Sequence, residues 1–113
     1  AKVMHAKSDP DASRIFASEL IHGAPVLKDY LNNDFKVWID TKIKVIETWV
    51  EQDLIDPINP YHLLFLIWSS TQHYADFNVQ VVAALDKNEM NDDDFEAVVA
   101  SLTQIILKGC GIR

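Results

Sequence analysis

Apolar residues recur three and four positions apart along most of the chain and seldom alternate one by one with polar residues. From about Asn33 to Gln52, Phe35, Trp38, Ile39, Ile43, Ile46, Trp49 and Val50 form one stripe, with Lys36, Asp40, Lys44 and Glu47 opposite. That pattern predicts an amphipathic helix. An earlier helix opens at "DPD", with Asp9 as N-cap and Pro10 in the first helical position. It carries Ile15, Phe16, Glu19, Leu20 and Ile21, and Gly23 closes it as the C′ residue. Residues 1 to about 8 read as the tail of a helix that starts upstream. "APVLKDYLNN" reads as a connector or a short helical turn. After the break "DLIDPINP", Asn59 and Pro60 start a further helix that either ends near Phe77 or bends there and continues through "NVQVVAALDK". "NDDDFE" announces the last helix, since an Asn or Asp cap and acidic first-turn residues suit the positive end of the macrodipole. Phe95, Val98, Val99, Leu102, Ile105 and Ile106 form its stripe, and Lys108 and Gly109 close it. The expected fold class is all-α, in one domain over residues 1–113.

One helix departs from the amphipathic pattern. "HLLFLIWSSTQHYADF", residues 62 to 77, holds a single charge, Asp76. On a wheel of about 100° per residue, Tyr61, Leu64, Phe65, Gln72, Ala75 and Asp76 gather near Trp68. Leu63, Leu66, Ile67, Ser70, Tyr74 and Phe77 fall opposite. A helix apolar on both sides is buried on both sides. The simplest arrangement turns Leu64, Phe65, Trp68 and Gln72 inward and gives Leu63, Leu66, Ile67, Ser70 and Tyr74 to a second subunit. Val98 and Leu102 of the last helix, beside the small residues Ala97, Ala100 and Ser101, extend that surface. Two helices from each of two subunits then make a four-helix bundle across a two-fold axis.

Gln72, one turn after Trp68, needs partners for both its carbonyl and its NH₂. A neighbouring backbone group or a water would serve. So would a ligand stacked on the indole, with the amide reading its hydrogen-bonding edge.

Composition narrows the function classes. Ten basic against 17 acidic residues give a net charge of −7, and the basic residues are scattered. This chain by itself is not expected to bind DNA. The longest apolar run, Leu63 to Trp68, falls far short of the ~20 residues that span a bilayer, so no membrane partner is expected; a single cysteine, unable to form an intrachain disulfide, suits a reducing, cytoplasmic setting. Cys110 stands alone near the end of the chain, read as an exposed thiol. The chain begins at Ala1 without an initiator Met and reads as a fragment of a longer protein.

"HLLFLIWSSTQHYADF", "PDASRIFASELIHGAP" and "LNNDFKVWIDTKIKVIETWV" resemble, at matching spacing, segments of TetR-type transcriptional regulators of the pyrimidine-utilisation subgroup, which senses uracil and thymine. The resemblance runs from about Pro10 to Gly109. It implies a TetR-like C-terminal helical domain for effector binding and dimerisation, with the last two long helices at the dimer interface. It also implies that operator DNA is bound by a helix-turn-helix domain that this chain lacks. A tryptophan and a glutamine that contact the ligand in a pyrimidine-sensing member match Trp68 and Gln72. A homodimer and a small, pyrimidine-like effector are the partners implied.

Other chemistry is weak. The histidines at 5, 22, 62 and 73 form no closed ligand set, so no metal and no cofactor are expected. His73 at a subunit boundary would make dimerisation mildly pH-sensitive. Ser69, Ser70 and Thr71 point in different directions on a helix and cannot form a triad with His73; they suit a close helix contact. Trp38 and Trp49 read first as core residues, with pocket lining as the alternative. The competing functional class, a helical interaction module or a small helical enzyme, finds no catalytic constellation.

Overall fold

A computed structural model describes residues 10–112 of the chain. The expected upstream helix and the Asp9 cap lie outside the described residues. Among those residues there are helices and no strand: α1 (Pro10–Ile21), α2 (Lys28–Tyr30), a π-helical turn (Leu31–Phe35), α3 (Lys36–Glu51), α4 (Pro60–Asp76), α5 (Asn78–Leu85) and α6 (Asp92–Gly109).

Local signals set most of the boundaries. Gly23, at φ +88°, ends α1: its N–H reaches the Leu20 carbonyl at 3.1 Å, and the Ala24 N–H reaches that of Glu19 at 2.8 Å. This is a Schellman end, in which a left-handed residue satisfies the last carbonyls. Asn59 caps α4 by accepting from the Tyr61 N–H at 2.9 Å, with Pro60 at the first helical position. Asn91 and Asp94 form a reciprocal capping box on α6, each side chain accepting the other's backbone N–H at 2.9 Å. A hydrogen bond from Lys87, and after it the backbone N–H of Asn91, holds the Asp94 carboxyl below its ordinary pKa. The helix chosen between ending and bending at Phe77 bends. Phe77 leaves helical geometry at ψ 32°, and Asn78 Nδ2 donates to the Tyr74 carbonyl at 3.3 Å.

The connector "APVLKDYLNN" is not a connector throughout. Helix resumes at Lys28 and runs through the π turn directly into α3. Asn32, Asn33 and Asp34 look like helix-start residues because their side chains compete for the backbone. Here Asn33 Nδ2 donates to the Asp29 carbonyl at 2.7 Å and supports the widened turn instead. Glu19 of α1 accepts the backbone N–H groups of Val26 at 2.8 Å and Leu27 at 3.1 Å, fixing the entry to α2. Glu19 had been counted in the α1 stripe; it caps the next segment.

The core gathers Ile39, Ile43 and Ile46 of α3, Leu63 and Leu64 of α4, Ile55 of the intervening loop and Cys110, with Phe35, Val50, Ile67, Trp68 and Ile106 packed against it. α1 lies on the second half of α4. Ser13 Oγ donates to Asp76 Oδ1 at 2.6 Å, and Arg14 Nε donates to the Ala75 carbonyl at 2.9 Å. Arg14 thereby places a cation at the negative end of α4. Ala75 at this crossing has no exposed surface. Asp76 therefore faces α1.

Two readings are corrected. Cys110 is buried, not an exposed thiol: the Asp56 N–H donates to its carbonyl at 2.7 Å and draws the chain end onto the core. Burial, and then the charge of Asp56, pushes its thiol pKa up. Gly111 permits this approach, since at φ +64° a Cβ there would collide with the Asp56 carboxylate. Leu63 is 5% exposed in the chain's own core and is not free for a partner subunit. The buried side of α4 is centred between the two wheel halves, so it takes Leu63 and Ile67 along with Leu64, Thr71 and Ala75.

Candidate functional site

Trp68 and Gln72 meet at one cavity. It measures about 210 Å³ and is lined by Phe16 and Leu20 of α1, Leu31 and Phe35 of the π turn, Trp38 of α3, and Trp68 and Gln72 of α4. Each wall has a local cause. Phe16 and Leu20 lie one turn apart on α1, which the Ser13 and Arg14 contacts hold against α4. Leu31 and Phe35 bracket the π turn, a helical irregularity found often at functional sites. Trp68 and Gln72 share a face because four residues make about one turn.

The aromatic groups form a connected cluster. Phe35 and Trp68 have centroids 5.7 Å apart at 45°, and Phe35 and Trp38 are 6.3 Å apart at 38°. Trp38 and Trp68 are stacked, with centroids 6.1 Å apart and planes 7° apart. Tyr30 extends the group, 6.1 Å from Phe35. Trp38, read first as a core residue, is thus a cavity wall.

The chemistry of the lining is selective. Among the described residues no charged side chain lines the cavity. Gln72, half-buried, makes no side-chain hydrogen bond among the described residues. Its amide offers an acceptor and donors side by side, next to aromatic faces. The volume lies below the 300–1,000 Å³ of sites for drug-sized molecules; it equals that of about seven liquid waters. A small, flat, uncharged molecule carrying a neighbouring N–H and C=O fits these properties.

The hydroxyl run beside Trp68 is occupied internally. Ser69, Ser70 and Thr71 donate to carbonyls one turn back, Thr71 to Ile67 at 2.7 Å. Thr71 is buried, and this bond satisfies it.

The remaining candidates spread over other surfaces. Tyr74 and Val98 line a second cavity of about 380 Å³ between α4, α5 and α6, with His73, Asp94 and Ser101 at its wall. Leu66 is 52% exposed, and Ile67, Ser70 and Leu102 are half-buried. His73 stacks on Phe77 with centroids 5.4 Å apart. Trp49, like Trp38, is not a core residue; it borders a third cavity of about 410 Å³ with Leu63, Ile67, Ile106 and Cys110. Among the described residues its lining offers only the Trp49 indole N–H and the Cys110 thiol to orient a ligand.

Phe16, Leu20, Leu31 and Phe35 escaped the sequence reading as site residues. Phe16, Leu20 and Phe35 were placed on helical stripes, where an aliphatic or aromatic residue reads the same whether it meets core or cavity. The pairing of α1 with the end of α4 is what separates the two.

Over residues 1–113 the sequence matches the family model described as "YcdC-like protein, C-terminal region". It is 42% identical over 108 residues to the HTH-type transcriptional regulator RutR of Escherichia coli (strain K12), which covers 96% of this chain and 51% of that protein. The same values hold for the HTH-type transcriptional regulator RutR of Shigella flexneri. The chain spans about half the length of the curated relatives it matches.

Proposed function

The chain belongs to the TetR-type family described as YcdC-like protein, C-terminal region, and from that premise we propose that it is the effector-sensing and dimerisation part of a cytoplasmic transcriptional regulator, a repressor. In this reading residues 1–113 form one such domain, and a helix-turn-helix domain outside the chain binds operator DNA. The relatives' names as HTH-type transcriptional regulators support that division. The net charge of −7 supports it too, since phosphate contacts need basic side chains.

The observation that carries the sensing role is the uncharged aromatic cavity in which Gln72 has no protein partner among the described residues. Its effector is a small, neutral, planar ring of the pyrimidine-base type. Trp68 supplies a stacking face, and the Gln72 amide pairs with the ring's N–H and C=O edge. Occupancy would favour a domain arrangement whose two DNA-reading helices no longer match one operator spacing.

A thermal-shift panel of free pyrimidines, nucleosides and small aromatic acids, run on the full-length protein, tests this. A free pyrimidine should raise Tm and a charged acid should not. Trp68→Ala should remove the response. A response that survives Trp68→Ala assigns the ligand to another site.

The dimer rests on the apolar side chains that α4 and α6 leave exposed. Leu66 and Phe65 on α4, and Ile105 on α6, are 52%, 49% and 65% exposed. With Leu63 in the core, the proposed interface consists of Leu66, Ser70 and Tyr74 with Val98 and Leu102, and Ile67, packed against the core, adds only its half-exposed edge. Sedimentation equilibrium of the full-length protein should give a dimer that Leu66→Glu weakens. A stable monomer at micromolar concentration sinks this interface.

A further inference from the structure

One face of Trp68, the ring on which an effector would stack, is already covered. Trp38 lies parallel to it, 7° between planes and 6.1 Å between centroids, inside the range of an offset stack. Phe35 and Phe65 approach Trp68 at 45° and 39°, so Trp38 is the neighbour placed as a flat ligand would be. Trp38 is not locked in by burial: it is 44% exposed. Lys42, one turn on along α3, holds its Nζ 5.3 Å from the Trp38 ring centroid. Trp38 is thus held by a stack on Trp68 and a cation on its own ring.

We infer that Trp38 is the specificity-determining gate of the effector site, an internal stand-in for the ligand whose indole must leave Trp68 before a planar ring can stack there. This rests on the effector reading above. Two consequences follow from the geometry. While the gate is closed a ring in the cavity cannot stack on the face that Trp38 covers, so apparent affinity is reduced with the fraction of open molecules. A ligand must also replace an indole–indole stack, so a puckered ring with the same hydrogen-bonding edge is penalised even if the cavity can contain it.

The test uses the full-length protein, with uracil and its saturated analogue 5,6-dihydrouracil as probes, by calorimetry and stopped-flow tryptophan fluorescence. Trp38→Ala should bind uracil faster and about 2–10-fold more tightly, and should discriminate less between the two rings. Lys42→Ala does not touch the cavity lining and should shift uracil binding in the same direction by about two- to fivefold. If Trp38→Ala loses uracil affinity as Trp68→Ala does, Trp38 is a fixed wall and the gate is overturned. If Lys42→Ala leaves the association rate unchanged while Trp38→Ala slows it, the gate fails as well. Absence of uracil binding by the unsubstituted protein removes the effector reading itself, and the gate with it.

Discussion

Gln72→Leu should weaken binding of a free pyrimidine by about 10–100-fold while leaving the unliganded protein at least as stable as before. Both signs come from the same geometry. The amide lies half-buried beside aromatic rings and makes no hydrogen bond among the described residues, so leucine, of similar size, takes nothing from the empty fold. With ligand bound, leucine leaves the ligand's N–H and C=O facing an apolar wall. Each neutral hydrogen bond contributes about 0.5–1.5 kcal/mol net, and an unsatisfied buried partner costs about 1–3 kcal/mol. Sites built to read a polar edge reject unpaired partners for this reason. Calorimetric titration and a thermal melt of the same preparation check the two halves. A drop in Tm with binding intact would make Gln72 a structural residue.

Ile43→Ala should cost about 2–4 kcal/mol of unfolding free energy, within the range for large-to-small changes in a core. Ile43 is 4% exposed and sits between Ile39 and Ile46 of α3, in contact with the cluster formed by Ile55, Leu63, Leu64 and Cys110. Ile39, Ile43 and Ile46 are the buried residues of α3, and Ile43 is the middle one, so the vacancy opens at the centre of the stripe. The loss is a large share of the 5–15 kcal/mol typical of a domain. Urea denaturation of the full-length protein, analysed with a common m-value, measures it. A change below about 0.5 kcal/mol would mean that the α3 stripe is not the centre of the core.

The elements with local signatures were legible in the sequence. Asn59-Pro60, Gly23 and the Asn91–Asp94 box act within four residues of one another, and a linear pattern contains all that they need. The Trp68 and Gln72 pairing was legible for the same reason, since one helical turn brings them to one face. What depends on distant contacts was not. Cys110 looked exposed because it stands near the end of the chain, yet Asp56, far off in sequence, holds its carbonyl. Leu63 looked external because the wheel was divided through Trp68, whereas packing centres the buried side between Leu64 and Ile67. The π turn was hidden because Asn32, Asn33 and Asp34 read as a helix start, and only the Asn33 bond to Asp29 shows them inside a helix. The resemblance to TetR-type regulators matched the family shown by the comparisons.

The π turn also sets what kind of sequence change the site tolerates. A continuous α-helix from Lys28 to Glu51 would cover the same path with one residue fewer. Removing one residue from Leu31–Phe35 would therefore restore an unbroken α-helix and leave the segments on either side in their places. The Val26 and Leu27 amides would keep the Glu19 carboxylate, and the change would fall on the turn itself, whose Leu31 and Phe35 line the cavity. The extra residue thus serves the cavity rather than the fold: a single deletion here should leave the helices paired and reshape only the wall of the site.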